Sequence, residues 1–304
     1  MVGTDNHIAI IDLGSNTFHL LIVEINADKT FEVLYKERSF VGLASEGLDK
    51  IGDESFQKGL EAIESFLEKI SNFSINKVKA IGTAALRSAS NGNLFVDEVK
   101  KATGIDIEII NGEREAELIF KGVNQIIEFK NDYHLIMDIG GGSVEFILIQ
   151  NNRPIWWKSY NIGVGVLHNA FHKTEPITES EKQDVIDHLD SVLDSLKEKI
   201  TGIHINTLVG ASGSFEVLES IRNKSDELTN EVTSLDIEII YPISSKIISS
   251  NYGDRLNMKG MPESRVKLIV VAMLLIEYTL KLARPEKVII SPFALKEGVI
   301  SEMV

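Results

Sequence analysis

An acidic, glycine-containing turn occurs twice in this chain, each time in the same sequence context. The stretch DLGSN begins at Asp12, and the stretch DIGGGS begins 126 residues later at Asp138. Each aspartate ends an apolar run, and each turn leads directly into a second apolar run, as expected for two buried strands joined by a tight turn. Because matching motifs recur with matching surroundings, we expect an internal duplication and two related domains.

The apolar patterns around the two turns predict the same order of elements in each half: three strands, then helix, strand, helix and strand. In the first half, strands are predicted at 7–12, 18–25, 30–38, 77–82 and 105–110, and helices at 53–70, at 93–103 and from 113 onward. In the second half, strands are predicted at 134–138, 144–150, 153–160, 206–210 and 287–291, and helices at 178–200, directly after 210–214, at 262–282 and at 293–303. The segment 83–91 is predicted to be a loop. We expect an α/β protein with domains at 1–124 and 125–291.

The bulk composition is that of an ordinary globular chain and excludes several classes of site. The 304 residues are 43% hydrophobic and 25% charged, which is enough to bury a core without metal or disulfide support. Without cysteine, the chain has no thiolate metal site and no thiol nucleophile. The net charge of −14 argues against broad binding to nucleic acid or to a membrane surface. The first residues lack a secretory-signal pattern and the longest apolar run has nine residues, so we expect a cytoplasmic protein.

Both turns have the composition of a phosphate-binding site. Glycine tolerates positive φ and lets a ligand approach the backbone, and successive amide groups can surround an anion. The residues concerned are Gly14, Ser15 and Asn16 in the first turn and Gly140, Gly141, Gly142 and Ser143 in the second. Two ordinary glycine-rich hairpins are the alternative. The chain has no P-loop spacing, and the second turn leads into a strand, so we favour a hairpin that binds phosphate.

Carboxylates flank both turns and would repel phosphate unless a cation lay between them. Asp12 precedes the first turn, and Asp138 and Glu145 flank the second. Mg²⁺ is bound in proteins by one or two carboxylates while it keeps waters and bridges to phosphate oxygens. We therefore predict a magnesium site at Asp138 and Glu145, with an ordinary solvent-facing glutamate as the alternative for Glu145.

A general base is predicted at the start of the helix that follows residue 112. The first turn of this helix carries Glu113, Arg114 and Glu115, and acids there also complement the helix dipole. One of the two glutamates is expected to face the site and to activate water, which the glycine turns cannot do. Arg87 has no acidic neighbour in the sequence and is expected either to clamp phosphate or to cover surface with its stem.

Three further features have weaker functional signals. The stretch GASGS is expected to approach a ligand through Gly210, Ser212 and Gly213. The segment 255–267 is the main basic cluster, with Arg255, Lys259, Arg265 and Lys267. It could form a polyanion channel or a solvated surface. No metal-ligand spacing such as HxxxH or HExxH is expected among the seven histidines, and His19 is expected to pack or hydrogen-bond beside the first turn.

Taken together and in order, these motifs resemble the exopolyphosphatase/guanosine pentaphosphate phosphohydrolase family. The stretches that carry the resemblance run nearly from end to end: DLGSNTFHL, GTAALRSASN, IINGEREAELIFKG, MDIGGGSVEF, GASGS and SPFALKEGV. The resemblance implies two actin-like (ribonuclease H-like) domains with the active site in the cleft between them. It also implies that the last helix, at about 292–304, packs back on the first domain.

The resemblance also implies an activity and roles for particular residues. It implies Mg²⁺-dependent hydrolysis of the terminal phosphate of polyphosphate, or alternatively of guanosine pentaphosphate (pppGpp). By motif position, Glu115 corresponds to the catalytic base, Arg87 to a phosphate-binding arginine, and Asp138 with Glu145 to the acidic pair of the second turn. A homodimer is expected. A kinase of the same superfold and a non-hydrolytic sensor are more remote alternatives.

Five positions depart from the family pattern and leave the chain-length preference open. Arg114 replaces a common glutamate, Val166 replaces a usual arginine, and Lys267 replaces a usual aspartate. Residues 294–296 are Ala-Leu-Lys where Gly-Leu-Arg is common. None of these changes affects the predicted catalytic carboxylates.

Overall fold

The computed structural model describes residues 6–211, 213–225 and 231–304. Two mixed sheets organise these ranges. The first sheet has the order β3-β2-β1-β4-β5 and contains β1 (His7–Leu13), β2 (Thr17–Ile25), β3 (Phe31–Phe40), β4 (Ile75–Gly82) and β5 (Ile107–Ile109). The first three strands form an antiparallel meander, and β4 runs parallel to both β1 and β5.

The second sheet repeats this topology. It has the order β10-β11-β9-β6-β7-β8 and contains β6 (Tyr133–Ile139), β7 (Val144–Gln150), β8 (Arg153–Tyr160), β9 (Ile205–Gly210), β10 (Thr233–Leu235) and β11 (Lys287–Ile290). Without the short β10, its strand order and directions match those of the first sheet. The predicted fold class, a duplicated α/β architecture, is confirmed.

Helices pack on both faces of the two sheets. The first part of the chain contributes α1 (Asp53–Ile70), α2 (Ala84–Ser88), α3 (Gly92–Thr103) and α4 (Gly112–Val123). The second part contributes α5 (Val164–Phe171), α6 (Glu179–Val192), α7 (Asp194–Ile200), α8 (Gly213–Asn223), α9 (Ile237–Ile248), α10 (Tyr252–Leu256), a 3₁₀ turn (Glu263–Arg265), α11 (Ile269–Ala283) and α12 (Leu295–Ser301). Among the described residues, no helix is long and apolar enough to cross a membrane.

Side chains on the two faces of β1 enter different cores. Ile8 and Ile10 belong to a cluster that also contains residues of α4, α12 and the second sheet, whereas Ala9 and Ile11 belong to a cluster formed by the first domain alone. Both faces are buried because strand side chains alternate and helices cover each side. The shared cluster places the start of α4 and the start of α12 beside the ends of the central strands of both sheets.

Helix α12 packs against α4 through a close crossing that two glycines permit. A Cβ atom on Gly298 would lie 1.8 Å from the carbonyl oxygen of Leu118, and one on Gly122 would lie 1.9 Å from that of Ala294. Arg114 and Lys121 of α4 both form ion pairs with Glu302, just after α12. We propose that residues 1–124 and 125–291 are the two domains and that 292–304 returns to the first.

Gly298→Ala is expected to destabilise the protein because its new methyl group would overlap the α4 backbone. Overpacking of this kind costs about 1–3 kcal/mol of unfolding free energy. Chemical denaturation would measure it. Gly253→Ala in α10 is the matched control, since a Cβ there would meet only the side-chain oxygen of Asn251 at 3.4 Å. Equal stabilities of the two variants would contradict the proposed close crossing.

Several predicted elements were wrong in detail. The segment 83–91 contains helix α2, because Ala84-Ala85-Leu86 favours helix once Thr83 begins the turn. The predicted helix at 178–200 is two helices that meet at Leu193. The apolar period does not reveal the break, since Leu189, Leu193 and Leu196 are all fully buried. The predicted helix at 262–282 begins as a 3₁₀ turn, and its α-helical part starts at Ile269.

Four elements were not predicted at all: α5, α9, α10 and β10. Gly163 and Gly165 interrupt the sequence at the start of α5, and Pro242 lies within α9, so both helices lack a clean helical signal. Helix α10 and strand β10 have only five and three residues, which is too short for a periodic pattern.

Candidate active site

Both glycine turns line one cleft of about 610 Å³ between the two sheets. Most residues predicted for the site lie along this cleft: Asp12, Gly14, Ser15, Asn16, Glu115, Asp138, Gly140, Gly141, Gly142, Ser143, Glu145, Gly213 and Arg265. They come from distant parts of the sequence and meet because the equivalent strands β1 and β6 both end at the cleft. The duplication therefore produces two facing turns.

The glycines of the two turns allow close packing, and they do not adopt the left-handed backbone conformation. None of Gly14 and Gly140–Gly142 has positive φ, so the predicted conformational reason is wrong. A Cβ atom on Gly141 would lie 2.6 Å from Nδ2 of Asn16, and one on Gly142 would lie 2.5 Å from Oγ of Ser15. The two turns thus lie in direct contact across the cleft, and only glycine allows this approach.

Neighbouring backbone holds the carbonyl groups of both turns. In the second turn, the amides of residues 163–165 at the start of α5 donate to the carbonyls of Gly142, Gly140 and Gly141 at 2.8–3.1 Å. In the first turn, the amides of residues 41, 42 and 44 donate to the carbonyls of Asn16 and Ser15 at 2.9–3.0 Å. These bonds engage the carbonyls of both turns, and the amide of Gly140 donates to the carbonyl of Ser143 at 2.9 Å within the second turn. We expect the remaining amides of the turns to face an anion.

Four carboxylates form the acidic centre of the cleft: Asp12, Glu115, Asp138 and Glu145. Asp138 and Glu145 are direct partners across β6 and β7, and Glu115 projects from the first turn of α4. Glu115 and Glu145 are 6% and 1% exposed. The Oγ of Ser159 donates to Glu145 at 2.6 Å, and a Cβ on Gly112 would lie 2.4 Å from the Cβ of Ser159. The start of α4 therefore meets the strand that supports Glu145.

Burial raises the pKa of every carboxylate in this centre. The pKa of Asp138 rises to about 8 because of burial and the nearby Glu115, against the opposing charge of Lys296. The pKa of Glu145 rises to about 7 and that of Asp12 to about 6, again mainly through burial. Burial and Glu145 raise the pKa of Glu115 above its usual range, while Arg87 opposes the shift. In the absence of a cation, Asp138 would hold a proton at neutral pH.

These shifts predict how metal-free stability depends on pH. Between about pH 4 and pH 8 the folded protein binds more protons at Asp138 and Glu145 than the unfolded chain, so the unfolding free energy falls as pH rises. We expect the melting temperature in EDTA to decrease across this window. The decrease should be smaller in Asp138→Asn, as calorimetry at several pH values would show. A wild-type melting temperature that stays flat or rises would contradict the buried acidic centre.

Arg87 contacts the predicted base. Its Nη1 donates to Oε2 of Glu115 at 3.0 Å and to the carbonyl of Ile110 at 2.8 Å. Helix α2, which carries Arg87, is tied to the first turn because the amide of Ala85 donates to Oγ of Ser15 at 3.1 Å. Arg87 is not among the residues that line the cleft. In this structure the guanidinium positions Glu115, and a direct contact with phosphate stays a prediction.

Cations from several elements line the rest of the cleft. Arg265 and Lys296 have no ion-pair partner within the ranges that the structure describes. The guanidinium of Arg265 lies over Gly213, where a Cβ would be 2.0 Å from Nη2. Arg38 of β3 pairs with Glu216 of α8 at 3.4 Å and so bridges the two sides of the cleft. An acidic centre beside these cations suits a polyanion whose end is bound through a metal.

Sequence reasoning missed Arg38, and it named Lys296 only as a departure from the family pattern. His19 lies beside the first turn and also lines the cleft. His19 is the cross-strand partner of Asp12, as Glu145 is of Asp138. The duplication could have found it, since His19 stands 126 residues before Glu145. Burial and the neighbouring cations Lys296, Arg38 and Arg265 hold the pKa of His19 well below its usual range. His19 is therefore a neutral side chain beside the first turn.

One predicted phosphate contact, Gly210, is not seen in the cleft, and a second cannot be placed. Gly210 does not line it, and a Cβ on Gly210 would lie 2.1 Å from the ring of Phe215, so packing explains this glycine. Ser212 lies outside the described residues.

The basic segment 255–267 does not form one channel. Arg255 is fully buried and forms a two-point ion pair with Glu175 at 2.7 and 3.0 Å. Arg265 lines the cleft, whereas Lys267 lines a different pocket. The departures from the family pattern are likewise dispersed: Arg114 pairs with Glu117 and Glu302, and Val166 lies away from the cleft.

The donor set at the second turn fits a hard divalent cation. Two adjacent carboxylates with raised pKa values are the kind of pair that a cation stabilises, and Mg²⁺ needs only one or two carboxylates when phosphate and water complete its shell. Among the described residues no group of three His, Cys, Asp or Glu side chains forms a complete metal centre. A cation here would therefore share its coordination with substrate and water.

Comparison with known proteins decides the family. The model of the Ppx/GppA phosphatase family matches residues 21–304. The chain belongs to this family. A crystal structure described as an exopolyphosphatase from Cytophaga hutchinsonii is 36% identical, covers 98% of this chain and 97% of that chain, and has a TM-score of 0.92.

Two further proteins are similar to the chain, one over part of its own length and the other in fold at low sequence identity. A guanosine-5'-triphosphate,3'-diphosphate pyrophosphatase from Pseudoalteromonas translucida is 29% identical over 98% of this chain, but the match spans only 59% of that relative. The Aquifex aeolicus PPX-GPPA enzyme is 22% identical with a TM-score of 0.80, covers 98% of this chain and 99% of that chain, and shares the fold.

Proposed function

We propose that the protein is an exopolyphosphatase that removes the terminal phosphate of inorganic polyphosphate. The observation that carries the proposal is the convergence in one cleft of two facing glycine turns, a buried glutamate and a carboxylate pair. The similarity to the Cytophaga hutchinsonii protein over nearly the full length of both chains supports polyphosphate as the substrate.

In the proposed mechanism, the two turns hold the terminal phosphoryl group through their amides. Glu115, kept in place by Arg87, accepts a proton from a water molecule. The water oxygen bonds to the terminal phosphorus while the bridging P–O bond breaks. The electron pair leaves with the shortened chain, and orthophosphate is released. Burial raises the pKa of Glu115, which makes its deprotonated carboxylate a stronger base.

Asp138 and Glu145 would hold Mg²⁺ at the second turn, where the ion would neutralise charge on the phosphoryl oxygens. Both carboxylates must lose their protons to act as ligands. Because their pKa values are raised, protons would compete with Mg²⁺ for them. Arg265 and Lys296 line the same cleft and would contact the following phosphates of the chain.

Hydrolysis of pppGpp is the second candidate function. The Pseudoalteromonas translucida relative is named for a guanosine substrate, and the cleft contains an apolar wall where Phe31 and Phe293 stack with centroids 5.4 Å apart. A base could pack against such a wall. The acidic centre would perform the same chemistry on either substrate.

One assay separates the candidates. Phosphate release would be measured with Mg²⁺ in parallel on long polyphosphate, short polyphosphate, pppGpp and ATP. The proposal predicts the highest kcat/KM on polyphosphate. A higher kcat/KM on pppGpp would instead support the second candidate, and ATP turnover that requires a sugar or acid acceptor would indicate a kinase.

A further inference from the structure

Two histidines of α5 lie together in a pocket on the second domain, away from the cleft. The pocket has a volume of about 400 Å³ and is lined by His168, His172, Lys173, Thr174, Glu175, Tyr252 and Lys267. The expectation that no histidines have the spacing of metal ligands is wrong, because His168 and His172 are four residues apart at the end of α5. This spacing places two imidazoles on one side of a helix.

The imidazole rings of His168 and His172 approach each other through their Nδ1 atoms. Nδ1 of His168 lies 3.2 Å from Nδ1 of His172. Two nitrogen ligands of one tetrahedral zinc ion, each at about 2.0–2.1 Å, are about 3.3 Å apart. A hydrogen bond between the rings has the same length, so the distance alone allows either arrangement.

The surroundings of His172 resemble the support of a metal ligand. Its side chain is 1% exposed, and its Nε2 is buried without a hydrogen-bond partner. Oε1 of Glu175 lies 3.6 Å from this Nε2, and Arg255 holds Glu175 through both carboxylate oxygens. Metal-binding histidines commonly direct the other ring nitrogen to a fixed carboxylate, which orients the ring.

The charges around the pocket bear on which ligands could complete the site. Lys173 and Lys267 on the rim are the unfavourable feature for a cation. They would favour an anion or hydroxide in the open coordination positions, which the pocket has room to admit.

We propose that His168 and His172 bind a divalent transition-metal ion such as Zn²⁺ through their Nδ1 atoms, with solvent or an anion as the remaining ligands. This site is separate from the magnesium site proposed at Asp138 and Glu145 and does not depend on the proposed activity. Imidazole nitrogen selects zinc, copper or nickel over Mg²⁺, so the two sites would take different ions.

Calorimetric titration of the untagged chain with Zn²⁺ tests the proposal, with excess Mg²⁺ present to occupy the carboxylate site. We expect one Zn²⁺ per chain and at least a tenfold weaker affinity in His168→Gln. His204→Gln should bind as the wild type does, since His204 is 70% exposed and lies outside the pocket. Equal affinity in His168→Gln and the wild type would overturn the proposal.

A second measurement avoids dependence on the folding of a variant. Long-range ¹H–¹⁵N spectra of the wild-type chain report which nitrogen of each histidine carries a proton or a metal. On addition of Zn²⁺, the Nδ1 resonances of His168 and His172 should shift and both rings should become Nε2–H tautomers. Unchanged resonances at saturating Zn²⁺ would overturn the site.

Discussion

Glu115→Gln should lower kcat for phosphate release from polyphosphate by about 10²–10⁴-fold, with a much smaller change in KM. A positioned general base contributes an acceleration of this size, and glutamine keeps the shape of the side chain while it loses the ability to accept a proton. Glu115 is 6% exposed in the cleft and is held by Arg87 at 3.0 Å, so no bulk water can substitute easily for it.

Glu113→Gln is the matched control for this change. Glu113 is also a glutamate in the first turn of α4, but it is exposed. Any general effect of charge at the helix start should appear in both variants, whereas loss of the base should appear only in Glu115→Gln. A rate for Glu115→Gln that matches the rate for Glu113→Gln would rule out Glu115 as the base.

Asp138→Asn should reduce kcat/KM at a fixed Mg²⁺ concentration by about 10²–10³-fold, the typical effect of losing one electrostatic contribution to the transition state. Part of the activity should return as Mg²⁺ is raised, because Glu145 would remain as a ligand. The dependence of the rate on Mg²⁺ concentration would be measured for both proteins, and the half-saturating concentration should be higher in the variant.

The pH dependence of Mg²⁺ activation gives the same site a second test. Since protons compete at groups with pKa values of about 8 and about 7, the wild-type half-saturating Mg²⁺ concentration should fall as pH rises from 6 to 9. Asp132→Asn is the control, as Asp132 is exposed just before β6. If Asp138→Asn leaves both the Mg²⁺ requirement and its pH dependence unchanged, the metal site is wrongly placed.

Much of the architecture was predictable from sequence because it depends on local periodicity. The strand sequences alternate or are continuously apolar, and the repeated Asp-Gly turn marks where β1 and β6 end. Helix α5 was missed because Gly163 and Gly165 stand where its helical pattern would begin, yet their amides hold the second turn. The amphipathic pattern of the sequence does not reveal that α5 supports the second turn through its backbone amides.

The sequence indicated which residues line the candidate site, but it did not indicate which of them contact each other. Motif position identified Glu115, Asp138 and Glu145, but the contact between Arg87 and Glu115 joins α2 to α4 and has no local signal. The positive φ expected for the glycines was wrong, because contact between the two turns is a property of domain packing, and close approach of a ligand to them stays a prediction. Likewise, the basic segment 255–267 looked continuous in sequence, but its cations diverge once the chain turns at the 3₁₀ helix.

The central claim is that water, activated by Glu115, attacks the terminal phosphorus of a polyphosphate chain. It is tested most directly by hydrolysis of long-chain polyphosphate with Mg²⁺ in ¹⁸O-water, with the chain lengths resolved by electrophoresis and the orthophosphate analysed by mass spectrometry. We predict shortening from the chain end, one ¹⁸O atom in each released orthophosphate, and little product from Glu115→Gln. Products from the middle of the chain, orthophosphate without ¹⁸O, or wild-type rates in Glu115→Gln would contradict the claim.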